Sequence, residues 1–145
     1  MDLVNIIDVV LNPWRKPPSS SRGAIALGAW GESYAARVLR RRGVKILYRN
    51  YRAPQGGEID LVGREKGTLL FIEVKTRRLE KNFSPRDSIN RKKENLIKRG
   101  ALSWLQLLGF PDIPFRFDVV EIILSQPIEF RWNQDAFSLP PSLHY

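Results

Sequence analysis

The sequence predicts an α/β sandwich built around a small mixed sheet. Three observations support this prediction: two stretches with helical periodicity, four apolar runs with strand character, and their order, which is helix, strand, strand, strand, helix, strand. The 145 residues fit one domain, and an apolar content of 43% suffices for a hydrophobic core. We therefore expect one domain over residues 23–137, preceded by an arm at 1–22 and followed by a tail at 138–145.

The central strands carry the only stretch of the chain that indicates chemistry. Residues 57–62 and 69–77 are rich in Val, Ile, Leu and Phe, and residues 63–67 between them are polar and predict a turn. Together they predict a β-hairpin. Its apolar face is expected to carry Ile59, Leu61, Leu70, Ile72 and Val74, and to face the core.

The polar face of this hairpin gathers carboxylates. Side chains two apart on a strand share a face, so Glu58 lies beside Asp60. We predict a register with Gly63 opposite Thr68, which places Glu58 opposite Glu73 and leaves Asp60 as a diagonal neighbour, roughly 7–8 Å away. A register slipped by one residue would send the acids to opposite faces and bury one pair.

Three converging carboxylates repel one another unless a cation neutralises them. Mg²⁺ takes oxygen ligands and binds through one or two carboxylates, keeping water and substrate phosphate in its shell. Asp60 and Glu73 suit this role. Lys75, two residues beyond Glu73, would then stabilise an attacking hydroxide or the phosphate under attack.

Two helices are predicted from periodicity and end residues. In the first, over residues 24–42, apolar residues recur every three or four positions, and Gly43 stands where a C-terminal cap is expected. The second is expected to begin near Asn90, a good cap residue, and to end near Leu108 before a glycine.

The first turn of the second helix carries three cations, Arg91, Lys92 and Lys93. The positive end of a helix dipole repels cations, so their presence there requires another cause. A phosphate docked at the helix start would supply one, and chance placement is the alternative. With Arg52 and Arg77 beside the hairpin, these residues form the predicted nucleic-acid-binding set.

Three further strands complete the predicted sheet, over residues 44–52 and 115–124 and, at one edge, 128–133. In the first of them, Ile46 and Tyr48 are expected to share a face. Arg116 and Asp118 share a face in the second, where a structural ion pair is the favoured interpretation. The polar residues 76–86 are predicted to form a mobile loop beside the hairpin.

An ordered set of motifs between about Gly28 and Phe137 resembles the YraN-like family of uncharacterised bacterial proteins. The set comprises Gly31-Glu32 with Ala35-Ala36 and Leu39, then Gly43, Asn50-Tyr51-Arg52, Gly57-Glu58-Ile59-Asp60, Phe71-Ile72-Glu73-Val74-Lys75-Thr76-Arg77 and Asn133-x-x-Ala136-Phe137. Asp60 followed by Glu73-x-Lys75 also resembles the active-site signature of the PD-(D/E)XK nuclease superfamily. Glu94 after Lys93 departs from the family pattern, which usually has Gln there.

The resemblance implies a restriction-endonuclease-like fold and a divalent-metal-dependent deoxyribonuclease. Asp60 and Glu73 would bind Mg²⁺ or Mn²⁺, and Lys75 would activate water. In related nucleases an acid from the first helix can complete the metal site, and Glu32 falls at that position; Glu58 would be a further ligand or support one. Branched or repair intermediates as substrates, and a homodimer, follow by analogy with other nucleases of this fold.

Composition limits the chemistry that is available. The chain holds 24 Lys and Arg against 15 Asp and Glu, a net charge of +9, with a pI near 10.3. That balance favours a polyanionic partner, although a basic surface that merely keeps the protein soluble is the plain alternative. The sequence contains no Cys, and its one His is His144, so carboxylates and lysines are the available catalytic groups.

Two functional classes therefore remain: a metal-dependent nuclease acting on DNA, and a catalytically silent nucleic-acid-binding module within a DNA-processing complex. No small-molecule cofactor is indicated. Residues 3–11 are apolar but too short to span a bilayer and lack the features of a signal peptide, so a mobile or loosely docked arm and a cytoplasmic location are expected.

Overall fold

Five strands form one sheet, in the order β1-β2-β3-β4-β5. The computed structural model describes residues 16–79 and 90–139. The elements are α1 (Gly23–Arg41), β1 (Lys45–Arg52), β2 (Glu58–Glu65), β3 (Thr68–Arg78), α2 (Arg91–Leu107), β4 (Phe115–Leu124) and β5 (Glu129–Phe137), with a short 3-10 turn at Ser20–Arg22. Strands β1, β2 and β3 are antiparallel, β3 and β4 are parallel, and β5 returns antiparallel to β4. The predicted order of elements is confirmed.

The two helices cover opposite faces of the sheet and enclose a separate core on each. On the α1 side, Ala35 and Leu39 pack with Ile72 and Val120 among others. On the α2 side the core includes Ile97, Ala101, Leu105, Phe71 and Phe117. A helix crossover is what joins two parallel neighbours such as β3 and β4. The predicted α/β sandwich around a mixed sheet is therefore confirmed.

The helix ends follow the predicted caps. The side chain of Asn90 accepts a hydrogen bond from the backbone N–H of Lys93 at 2.9 Å, which satisfies one of the free donors at the start of α2. Gly43, just past α1, has a φ of 96°, a left-handed conformation that glycine adopts without steric cost. Both helix boundaries lie within one residue of the prediction.

The register of the β2–β3 hairpin differs from the prediction by two residues. Glu65, and not Gly63, lies opposite Thr68, and the connection is only Lys66 and Gly67, with φ of 48° and 81°. Positive φ at both positions is characteristic of the tight type I′ turn, whose twist matches that of the strands. A shift of two keeps the same side chains on the same face.

The side-chain alternation of β2 breaks at Asp60. Ile59 belongs to the core on the α2 side, whereas Leu61 belongs to the core on the α1 side, so the prediction that both share one apolar face is wrong. On β1, Tyr51 lies opposite Ile59 and Arg49 lies opposite Leu61. Asn50, between these two β1 residues, has a φ of 55°. The pairing register is the same on both sides of Asn50, so no residue is inserted there, and the left-handed backbone of Asn50 is the local irregularity opposite Asp60.

A second irregularity lies nearer the start of β1. The pairing shifts between Ile46 and Tyr48. Ile46 packs against the α1-side core, while the Tyr48 ring contacts Trp104 on α2, so the prediction that the two share a face is wrong. The extra residue in the bulge is the physical reason, because it reverses the side on which the following side chains emerge.

Three segment boundaries also differ. Residues 76–78 continue strand β3 rather than entering a loop, and the rest of the predicted loop, from residue 80, lies outside the described residues. Arg78 donates a hydrogen bond to the carbonyl of Pro18 at 2.6 Å, so the end of the predicted arm contacts the sheet. Leu139, placed by prediction in the tail, is buried in the α2-side core. Predictions for residues 1–15 and 140–145 lie outside the described residues.

Within residues 16–79 and 90–139, no helix is both long and apolar enough to cross a membrane.

Candidate active site

Asp60 stands where strands β2 and β3 separate. Its Oδ2 accepts a hydrogen bond from the backbone N–H of Val74 at 2.8 Å, in place of a bond between the two backbones. The last paired residues of this ladder are Leu61 and Ile72, so continuing it by one step places Asp60 opposite Glu73. The face switch and this hydrogen bond together fix the Asp60 carboxylate in the opening of the sheet.

Glu73 is the most buried acid of the site, with 2% of its surface exposed. Its Oε1 lies 3.6 Å from the Lys75 ammonium nitrogen. Among the described residues, its Oε2 is buried and has no hydrogen-bond partner. Burial first, and then the negative charge of Asp60, raise the pKa of Glu73 to about 8, against the opposing effect of two lysines.

Lys93, from the first turn of α2, is the second lysine at this carboxylate. Its ammonium nitrogen lies 3.4 Å from Oε1 of Glu73 and also forms a close ion pair with Glu58. Burial lowers the pKa of Lys93, but the hydrogen bond to Glu58 and the charge of Glu73 outweigh burial and raise it. The pKa of Glu58 is lowered chiefly by the same hydrogen bond. Lys93 was predicted to face a docked phosphate; in the structure it faces carboxylates.

Glu32 reaches the same opening from α1, on the other side of the sheet. Burial raises its pKa to about 7, and the charge and hydrogen bonding of Asp60 contribute next. Arg49 works in the opposite direction; its guanidinium donates a hydrogen bond to the Ser33 hydroxyl at 2.7 Å. Asp60 is therefore the shared neighbour of both raised carboxyl groups, one from each side.

Two close backbone approaches hold these elements against the sheet. A Cβ on Gly31 would lie 1.7 Å from the Thr76 hydroxyl oxygen, so only glycine lets α1 meet β3 directly before Glu32. A Cβ on Gly57 would lie 2.5 Å from the backbone nitrogen of Gly100, where α2 crosses the start of β2. Each glycine precedes an acid of the site, and each allows the contact that positions that acid.

The residues present fit a hard divalent cation. A buried carboxylate oxygen without a partner, beside a second carboxylate, is an oxygen donor set of the kind such cations prefer. In the parts of the chain that the structure describes, no three acidic or histidine side chains form a ready-made ligand group. Asp60 and Glu73 would therefore supply one or two ligands, and water or substrate phosphate the others, as is usual for Mg²⁺.

The predicted nucleic-acid contacts surround this opening. Arg52 is exposed and pairs opposite Glu58 on the neighbouring strand, where its charge contributes to the lowered pKa of that acid. Arg91 and Lys92 are exposed at the start of α2, next to Lys93 in the chain. Arg77 is half-buried on β3, two residues beyond Lys75, and so on the same face.

Sequence reasoning did not predict two relationships in the site: the ion pairs of Lys93 with Glu58 and Glu73, and the proximity of Arg49 to Glu32. Lys93 was assigned to phosphate, although it lies four residues before Ile97 and eight before Ala101, both buried, and so on the inward face of α2. A helical projection of α2 would have revealed this. Arg49 could not be found in that way, because its relation to Glu32 depends on how α1 packs on β1.

A second acidic centre, around Asp118, is structural. Asp118 is buried and accepts hydrogen bonds from Arg116 Nε at 2.9 Å, from Trp132 Nε1 at 2.9 Å and from the backbone N–H of Asp135 at 3.0 Å. The predicted structural ion pair of Arg116 and Asp118 is confirmed. Both Asp118 oxygens accept hydrogen bonds, whereas Oε2 of Glu73 has no partner among the described residues. Asp118 therefore has no oxygen left to bind a ligand.

The fold and site define a class: α/β sandwich proteins built on a five-stranded mixed sheet, with carboxylates and lysines gathered where the central hairpin opens. The family model described as "Uncharacterised protein family UPF0102" matches residues 31–122, and the chain belongs to that family, the YraN-like family that its motifs resemble.

Relatives in the same family cover most of the domain. A "UPF0102 protein" of Hahella chejuensis is 41% identical over 115 residues, which are 79% of this chain and 92% of the relative. Another from Geobacter sulfurreducens is 42% identical over 101 residues, 70% of this chain and 78% of the relative. A third, from Desulfosudis oleivorans, is 47% identical over 93 residues, 64% of this chain and 75% of the relative.

Proposed function

We propose that this protein is a divalent-metal-dependent deoxyribonuclease. The observation that carries the proposal is the buried Glu73 carboxylate, which has one oxygen without a partner, Asp60 beside it and two lysines on its other oxygen. A protein gains no stability from an unsatisfied buried carboxylate with a raised pKa, so such a group is more often found at functional sites.

Asp60 and Glu73 would hold Mg²⁺ or Mn²⁺, with Glu32 and Glu58 next to them as supporting acids. When bound, the cation supplies Lewis-acid activation of the phosphodiester and of water. The chain's own residues supply the rest. The backbone N–H of Val74 keeps the Asp60 carboxylate oriented, and burial of Glu73 excludes bulk water from one side of the site.

Lys75 and Lys93 would stabilise negative charge on the phosphate under attack. Lys75 is partly exposed, at 30% of its side chain, so a phosphate can approach it from solvent. Preorganised cations at a site where charge develops lower the barrier because they do not have to reorient during the reaction. The net charge of +9 favours capture of a polyanion before the chemical step.

A cleavage assay tests the proposal. Labelled duplex, single-stranded, flapped and four-way-junction DNAs would be incubated with Mg²⁺, Mn²⁺ or EDTA, using wild type, Asp60→Ala, Glu73→Ala and Lys75→Ala. We expect cleavage that EDTA abolishes, with loss of activity in all three variants and retained DNA binding in the two acid variants. Cleavage that survives Asp60→Ala or Glu73→Ala would show that the site lies elsewhere.

The second candidate is a catalytically silent nucleic-acid-binding module. One observation favours it: the Lys93 ammonium already pairs with Glu58 and Glu73 without a metal. If no DNA of the panel is cut but duplex or junction DNA is bound with a steep salt dependence, this function replaces the nuclease. DNA binding with a flat salt response would contradict both functions.

A further inference from the structure

A wide groove lies on the α2 side of the sheet, between the β1–β2 connection and the C-terminal half of α2. Its volume is about 1010 Å³, at the upper end of the range for small-molecule pockets, which is roughly 300–1,000 Å³. Tyr51 and Leu102 are among the residues that line it, and the Tyr51 hydroxyl is hydrogen-bonded to the Ser103 hydroxyl at 2.7 Å. The groove is open to solvent, so a segment of a polymer can enter it.

The charge of the groove is positive. Arg52 and Arg99 line it and are both exposed, and none of the described residues that line it is acidic. Elsewhere among the described residues, Arg116 pairs with Glu65 and Arg131 pairs with Glu129. Two arginines on an apolar floor, without an acid in the lining, are complementary to a phosphate backbone.

The far wall presents apolar side chains to solvent. Leu107 is 71% exposed, and Phe110 is 44% exposed although its backbone is left-handed, with a φ of 50°. Such a φ is unfavourable for a bulky residue, and Asn or Gly would adopt it at lower cost. The Phe110 N–H donates a hydrogen bond to the Leu105 carbonyl at 2.9 Å, so this backbone belongs to the turn that ends α2, and that turn holds the exposed ring at the far wall of the groove.

The groove adjoins the candidate active site. Arg52 pairs opposite Glu58, so this arginine borders both. Arg99 lies six residues beyond Lys93 on α2, which is about 9 Å along the helix at 1.5 Å per residue. A strand leaving the site along α2 would therefore meet Arg99 first and Phe110 beyond the helix end.

We propose that this groove binds a single-stranded segment of nucleic acid adjoining the bond at the candidate active site. Arg52 and Arg99 contact its phosphates, and the Phe110 ring stacks on a base. The substrate class that follows is DNA with a frayed, flapped or otherwise unpaired strand. The position of the cut rests on the proposed nuclease function; binding of the strand does not.

A binding experiment in EDTA tests the groove separately from the chemistry. The probes are a fluorescein-labelled oligodeoxythymidylate and a blunt duplex of equal length, with affinity measured by anisotropy over a range of salt. The variants are Phe110→Asn and Arg99→Gln, and the matched control is Arg64→Gln. Arg64 is an exposed arginine at the other end of β2, where it lies opposite Lys45 in the β1–β2 ladder.

We expect Phe110→Asn to weaken binding of the single strand about tenfold without lowering the melting temperature, because Asn adopts the left-handed backbone readily. Arg99→Gln should reduce the slope of log affinity against log salt by about 0.7, the value for one phosphate contact on a single strand. Arg64→Gln should leave the single-strand affinity within about twofold of wild type, and duplex affinity should respond little to either groove variant.

Three results would overturn the inference. Equal losses in Arg99→Gln and Arg64→Gln would indicate diffuse attraction by net charge. Unchanged single-strand affinity together with an altered sedimentation coefficient in Phe110→Asn would assign the groove to self-association of the chain. A lower melting temperature of Phe110→Asn with unchanged affinity would assign the ring to packing. None of these depends on cleavage, so a protein that cuts blunt duplex while failing this test retains the proposed nuclease function.

Discussion

The ammonium nitrogen of Lys93 lies 3.4 Å from Oε1 of Glu73, and the same ammonium pairs with Glu58. The first turn of α2 therefore brings one positive charge into contact with acids from two neighbouring strands. A divalent cation bound by Asp60 and Glu73 would lie close to the Lys93 ammonium. The two would compete for Glu73, because like charges that lie close together repel each other. Metal binding and the position of Lys93 are thus expected to be coupled.

We predict that Lys93→Met binds Mn²⁺ more tightly in the absence of DNA. Removing the competing ammonium should raise the affinity about tenfold, which corresponds to about 1.4 kcal/mol. Isothermal titration of the metal-free protein measures this. Cleavage should nevertheless fall, because the charge that stabilises the phosphate is lost.

Lys98→Met is the matched control for this change. Lys98 is on the same helix and pairs with Glu94 at 3.7 Å, away from Glu73. Its Mn²⁺ affinity should equal that of wild type. Equal affinity in Lys93→Met and Lys98→Met would show that Lys93 does not compete with the cation.

We predict that the metal-free protein loses stability as the pH rises from about 5 to about 8. The pKa of Glu73 is raised from an ordinary value of 4.5 to about 8, so between these values the folded state binds more protons than the unfolded state. The free energy of unfolding then falls with pH. For Glu73 the loss should be on the order of 4 kcal/mol, at about 1.36 kcal/mol for each pH unit of this window, and Glu32, whose pKa is raised to about 7, adds a loss of the same sign.

Urea unfolding of wild type and Glu73→Gln at both pH values measures this difference. The pKa of Glu58 is lowered and not raised, so Glu58 is ionised in both states across this window and adds no slope there. Glu73→Gln should be more stable at pH 8 and less sensitive to pH, and Mg²⁺ should stabilise only wild type. An equal pH dependence in the two proteins would contradict the assignment of a raised pKa to Glu73.

Local patterns were sufficient to predict most of the fold. Asn90 and Gly43 marked helix ends correctly, because caps depend only on neighbouring backbone groups. The hairpin register was predicted wrongly because the turn consists of Lys66 and Gly67, both with positive φ. The sequence that usually indicates this turn is Asn-Gly or Asp-Gly, and here a lysine occupies the first position. The strand β5 was also predicted too short, since it continues to Phe137.

The site was predicted less completely than the fold, for a physical reason. Asp60 and Glu73 were predicted to lie close together, but as diagonal neighbours, whereas the ladder continued by one step places them opposite each other. The switch of faces at Asp60 occurs beside the left-handed Asn50 of β1, and the Lys93 ion pair depends on how α2 crosses the sheet. Both are tertiary relationships, which spacing along one strand or one helix does not encode.

We predict opposite effects from the same substitution at two acids. Asp118→Asn should destabilise the protein by about 2–4 kcal/mol, because it removes the buried charge paired with Arg116. Asp60→Asn should not destabilise it, since the change relieves repulsion with Glu73 and Glu32. Urea unfolding measures both.

The substitution that leaves stability intact should abolish metal binding, and the substitution that lowers stability should leave metal binding intact. Asp60→Asn should lose Mn²⁺ binding, while Asp118→Asn, assayed at a temperature where it is folded, should keep it. Retained Mn²⁺ binding in Asp60→Asn would contradict the metal-binding role assigned to Asp60. Loss of Mn²⁺ binding in folded Asp118→Asn would contradict the structural role assigned to Asp118.

The contact of α1 with β3 at Gly31 is expected to control the placement of Glu32. In Gly31→Ala the added methyl would lie 1.7 Å from the Thr76 hydroxyl, so the helix must move away from the strand, at a cost of about 1–3 kcal/mol. Glu32, the next residue, moves with it, and Mn²⁺ affinity should fall.

Gly28→Ala, on the same helix with open space around the position, should instead stabilise the protein by about 0.5–1 kcal/mol and leave metal binding unchanged. Adding Thr76→Ala to Gly31→Ala removes the nearest atom and should restore part of both losses. If Gly31→Ala loses stability but keeps its Mn²⁺ affinity, then Glu32 contributes nothing to the cation, and the ligands come from the sheet alone.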